Sequence, residues 1–107
     1  MFVVSALSTE QIRVPIGATN AGAVVDPTAD TVQLAFIAEG STPASGDWKT
    51  GSWETDATTT PVTYFARALV GPSGGVITLA ANTYDVFVKI TDNPEVPVKK
   101  AGPMRVI

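Results

Sequence analysis

The chain has 107 residues, 45% hydrophobic and 16% charged, with a net charge of −3 and neither cysteine nor histidine. That length allows one folded core. The composition removes disulfides, the imidazole base and Ser-His-Asp chemistry, and it supplies no basic face to neutralise nucleic-acid phosphates.

The opening MFVVSALSTEQIR has a short apolar run with no basic residue ahead of it. It does not have the form of a signal peptide and is too short to span a membrane, so synthesis in a cytoplasm is expected, with no membrane partner. Phe2, Val3 and Val4 are too apolar for a tail that frays in water. Residues 1–9 therefore read as an N-terminal arm that adds a strand to a neighbouring subunit or lies in its groove, and residues 10–107 as a single sandwich domain.

Strand signals follow in series. QIRVPI places Ile12, Val14 and Ile16 on one side, and Pro15 demotes it to an edge or terminal strand. TVQLAFIAE groups Val32, Leu34, Phe36 and Ala38, leaving Thr31, Gln33, Ala35, Ile37 and Glu39 on the other side. GDWKTGSWE reads as a hairpin carrying Trp48 and Trp53 on opposite parities. PVTYFARALV turns Tyr64, Ala66, Ala68 and Val70 inward and Phe65, Arg67 and Leu69 outward. GVITLA is a short β-branched strand, and VPVKK with PMRVI forms two short strands or one strand bent by Pro97 and Pro103. Turn-forming clusters separate these runs, and no window keeps a helical stripe. The fold class is all-β, an antiparallel immunoglobulin-like β-sandwich of about seven strands.

LAANTYDVFVKITD puts Tyr84, Val86, Val88 and Ile90 on one parity and Asp85, Phe87, Lys89 and Thr91 on the other. Leu79 closes one strand, Asn82 sits where a left-handed turn residue is wanted, and Tyr84 begins the next with its ring inward. This resembles the corner where immunoglobulin-like domains cross between sheets and a tyrosine hydroxyl bonds back to nearby backbone.

No catalytic residue and no metal ligand set emerges. The ten acidic residues are scattered; Asp92, Asn93 and Glu95 cluster on a Pro-containing turn, where backbone preference alone favours them. GPSGG lacks the Lys-Ser or Lys-Thr of a phosphate loop and reads as a turn. No cofactor is expected. Trp48 and Trp53 offer a contact for a protein, or for sugars in a carbohydrate-binding or adhesion module. Phe87 on the polar parity of its strand, with Phe65 and Ile37 on the outer parities of theirs, suggests an exposed apolar patch rimmed by Arg67 and Lys89. Were the three strands neighbours, covering it would remove about 250 Å² of apolar surface, roughly 6 kcal/mol before association costs. A loop within residues 40–61 folding over the patch would serve as well.

DPTADTVQLAFIAEG, WKTGSWET, YFARALVGPSGG and TYDVFVKITDNPEVPVKKAG together resemble small proteins encoded among the virion structural genes of actinobacterial tailed phages and prophages. The resemblance spans residues 10 to 107 and rests on strand and turn patterns. It implies a non-enzymatic virion component, attached to the capsid surface as a decoration or to the head-to-tail region, whose partners are other virion proteins (the major capsid protein or a connector) or copies of itself.

Overall fold

A computed structural model describes residues 2–16, 19–20, 23–24, 28–59, 62–91 and 96–107. In chain order the elements are β1 (Phe2–Val4), β2 (Glu10–Ile16), β3 (Thr19–Asn20), β4 (Ala23–Val24), β5 (Thr31–Ala38), a 3₁₀ turn (Ser45–Asp47), β6 (Trp48–Thr50), β7 (Ser52–Asp56), β8 (Thr63–Val70), β9 (Asn82–Thr91) and β10 (Val98–Val106). A five-stranded sheet runs β1-β10-β9-β5-β6 and a three-stranded sheet β2-β8-β7, while β3 and β4 pair only with each other. The fold is an all-β sandwich. Every pairing within the two sheets is antiparallel except β1 with β10, which run parallel.

The alternation in the sequence decides what lies between the sheets. Ile12 and Val14 of β2, Val32, Leu34 and Phe36 of β5, Ala66, Ala68 and Val70 of β8, and Val86 and Val88 of β9 form one buried cluster with Leu79, Met104 and Val106. Full burial of a side chain such as Leu34, Val86 or Met104 contributes about 1.5–3 kcal/mol. β2 lies at a sheet edge, as Pro15 requires.

Several expectations are corrected. The N-terminal arm pairs with β10 of its own chain, Phe2 beside Met104 and Val4 beside Val106, and both side chains pack against the core. GVITLA forms no strand; Ile77 makes one isolated bridge to Val70, and Leu79 plugs the core. VPVKK and PMRVI are one strand, interrupted by a bulge between Lys100 and Gly102 and not by its prolines. Asn82 is already in β9, where its side chain accepts a bond from the Thr83 N–H.

The tryptophan segment is not a hairpin. β6 pairs with β5 and β7 with β8, so the chain leaves one sheet and enters the other at Gly51. The Gly51 N–H donates to the Val32 carbonyl, and a Cβ there would stand 2.6 Å from Leu34 Cδ1 and 3.2 Å from two carbonyl oxygens. Only glycine fits this crossing without displacing the core. Gly71, at φ 140°, is the second such position, pressed against the backbone of Ser8 and Thr9.

Candidate functional site

The outer face of the five-stranded sheet is where the sequence leaves apolar groups unexplained. Register places Lys100, Phe87, Ala35 and Trp48 in one row across β10, β9, β5 and β6. The neighbouring rows hold Pro103, Asp85 and Ile37 on one side and Val98, Lys89, Gln33 and Thr50 on the other. Phe87 and Trp48 are partly exposed, and the Lys89 ammonium lies 4.6 Å from the centroid of the Trp48 ring. That cation–π contact fixes the indole against the sheet.

Half of this face is closed by the chain itself. Ala35 is fully buried and Ile37 is 7% exposed. The expectation that Ile37 is an interface residue is therefore corrected: the chain itself buries it. Asp85 marks the same closure. Though on the outer parity it is only 2% exposed, and one of its oxygens accepts the Gly40 N–H at 2.9 Å and meets Lys100 Nζ at 3.2 Å. The Gly40 bond, aided by Lys100 against the opposing effect of burial, holds the carboxyl below its ordinary 3.8.

The outer face of the three-stranded sheet is built differently. Glu54 receives Arg13 Nε at 2.8 Å and Arg67 Nη1 at 2.9 Å, while Arg67 Nε donates to Ser52 Oγ. These groups sit across adjacent strands, with Arg13 directly opposite Arg67 and Phe65 between Pro15 and Glu54. The bond from Arg13, with Arg67 adding to it, lowers the Glu54 pKa from its ordinary 4.5. Arg13 and Glu54 were not singled out by the sequence, because their meeting depends on which strands are neighbours.

Phe65 and Arg67 therefore do not share a surface with Phe87 and Lys89. β8 belongs to the opposite sheet, and the continuous Phe65–Phe87–Ile37 patch does not form. Trp48 and Trp53 are separated in the same way. Trp53 stands opposite Ala66, packs against the core and donates its indole N–H to the Asp30 carbonyl at 2.8 Å, so no two-tryptophan platform exists for a sugar.

Among the described residues no group of three His, Cys, Asp or Glu side chains is placed to hold a metal ion. Asp92, Asn93 and Glu95 lie outside the described residues. No helix among the described residues is long and apolar enough to cross a membrane. No family model, curated protein or solved structure matches this chain.

Proposed function

We propose that this protein is an immunoglobulin-like attachment module, a non-catalytic structural subunit of a tailed-phage particle held on the capsid surface or at the head-to-tail region by protein–protein contacts. The observation that carries the attachment reading is that Phe87 and Trp48 stay partly open, with Val98 exposed beside them, on a sheet face where Ala35 and Ile37 are buried. A self-sufficient domain has reason to cover such a pair; a subunit held by a partner has reason to leave it open. The immunoglobulin-like reading is supported by the strand order, by a first strand running parallel to the last, and by the Tyr84 hydroxyl, which donates to the Ala80 carbonyl at 2.8 Å. The virion assignment is supported by the sequence resemblance.

Mass spectrometry of purified particles tests it. Tens to hundreds of copies per particle place the subunit on the capsid, and about six or twelve place it at the neck, following the symmetry of each site. Absence from particles sinks the reading. The Phe87→Ser variant should fold with a melting temperature within a few degrees of the parent yet fail to incorporate. Titration with oligosaccharides should leave the tryptophan fluorescence unchanged, since Trp48 is already stacked under Lys89 and Trp53 is tied to the core.

A further inference from the structure

β1 covers only the last turn of its neighbour. It pairs with Met104, Arg105 and Val106, so the first half of β10, from Val98 to Gly102, has β9 on one side and no strand on the other among the described residues. Exposure follows that division: Val98, Lys99, Lys100 and Ala101 are all exposed, whereas Met104 and Val106 are buried. The open length is roughly 16 Å at about 3.3 Å per residue.

Its backbone groups are directed outward. The Ile90 N–H donates to the Pro97 carbonyl, and the same register pairs Val98 with Lys89, Lys99 with Val88 and Lys100 with Phe87. Antiparallel pairs alternate between bonded and non-bonded. Lys99 is therefore bonded to β9, and the N–H and C=O of Val98 and Lys100 point to the vacant side. Beside this edge a cleft of about 240 Å³ opens between the sheets, floored by Val14, Ile16 and Val88 and bordered by Lys99.

We propose that this half of β10 is a strand-addition site for an extended, acidic segment of a partner protein. The incoming strand takes the four outward backbone groups of Val98 and Lys100 and turns one face to the cleft. There an apolar side chain meets Val14 and Val88, and the carboxylate two residues along meets Lys99, which shares that face because it stands opposite Val88. Lys99 has no carboxylate partner among the described residues, whereas Lys100 is already held by Asp85. Charge also selects against a second copy of this chain, because two such edges laid together would oppose lysine to lysine, a common device for keeping sheet edges apart. An acidic strand turns the same lysines into attraction. The site lies on the sheet edge and is independent of the Phe87 face.

The test uses the full chain, isotopically labelled, with amide hydrogen exchange read by NMR. The probes are two capped heptapeptides with threonine at every odd position, one carrying valine, glutamate and valine at positions 2, 4 and 6 and the other valine, lysine and valine there, so that the apolar and the charged side chains share one face. Millimolar glutamate peptide should slow exchange at Val98 and Lys100 by about tenfold or more, a stabilisation of about 1.4 kcal/mol, and leave Lys99, already bonded to β9, unchanged. Lys99→Glu should transfer the preference to the lysine peptide. Val98→Pro, which removes an outward donor and keeps every bond to β9, should abolish the slowing. No slowing at millimolar glutamate peptide, or equal slowing by both peptides in the parent, overturns the proposal; incorporation of Phe87→Ser into particles bears only on the face.

Discussion

The two outer faces of this sandwich solve one problem in opposite ways. On the three-stranded sheet the outward side chains are held by charge, with Glu54 shared between Arg13 and Arg67 at half-exposed positions. On the five-stranded sheet they are held by burial: Ala35, Ile37 and Asp85 are buried, Asp85 tied to the loop at Gly40, while Phe87 and Trp48 in the same row as Ala35 stay partly exposed. An ion network in water contributes little and loses nothing when left open, whereas a half-covered apolar margin is stabilised by whatever completes it. The difference is what makes the second face the one to test for a partner.

The largest effect is expected where the two sheets are joined. Gly51→Val puts side-chain atoms into Leu34 and the carbonyls of Val32 and Arg67, and should cost about 1–3 kcal/mol or more by overpacking, read as a lower urea midpoint. A midpoint unchanged from the parent would mean the crossing is looser than the geometry implies. Asp85→Ala comes next. It removes the buried carboxylate that ties the Gly40 N–H to the sheet and meets Lys100, and should lower the melting temperature more than any single change on the ionic face. The pH dependence has a fixed sign. A folded-state pKa below 3.8 gives Asp85 a contribution that is complete above that value and is lost as pH falls through the lower folded value. Asp85→Asn should flatten the acid limb of the stability profile there, and an unaltered limb would remove Asp85 from the account.

Smaller again is Tyr84→Phe, which deletes one hydroxyl bond to Ala80 and should cost about 1 kcal/mol or less, since the bond is exposed to water. The least effect is expected from Glu54→Gln. Its melting temperature should differ slightly from the parent at low salt and converge with it as salt is added. A loss that persists in high salt would show the ionic face to be more than solvated charge, and the contrast between the faces would weaken.

Facing was legible in the sequence; neighbourhood was not. The alternation in β5, β8 and β9 correctly placed Val32, Leu34, Ala66, Ala68, Val86 and Val88 inward, because side-chain direction is a local property with a period of two. The Tyr84 bond to nearby backbone was legible for the same reason, spanning only four residues. Which outer face Phe65 and Phe87 occupy depends on sheet membership, decided by long-range pairing that periodicity does not encode. A signal did exist at the tryptophans: a lone glycine inside Trp48–Trp53 marks close backbone approach, and it is the point where the chain changes sheets. Ile37 was misplaced because its burial on the outer parity depends on long-range packing that a period of two does not announce. Asp85 gave a warning. A carboxylate between apolar neighbours on a supposedly wet parity is a reason to ask what lies over it.

The parallel pairing of the first strand with the last has a mechanical consequence. β1 begins beside Met104 and ends beside Val106, and Ala6 and Val4 exchange main-chain bonds with Ile107. When the two ends of the chain are drawn apart, β1 is pulled backward along its own direction and β10 forward along the same line. The bonds between them are then loaded side by side in shear and must yield together. An antiparallel closure pulled from its free end would open one bond at a time, like a zipper. Stretched between its termini in a force microscope, this domain should give a distinct rupture peak before the sandwich extends, and deletion of residues 2–6 should remove that peak.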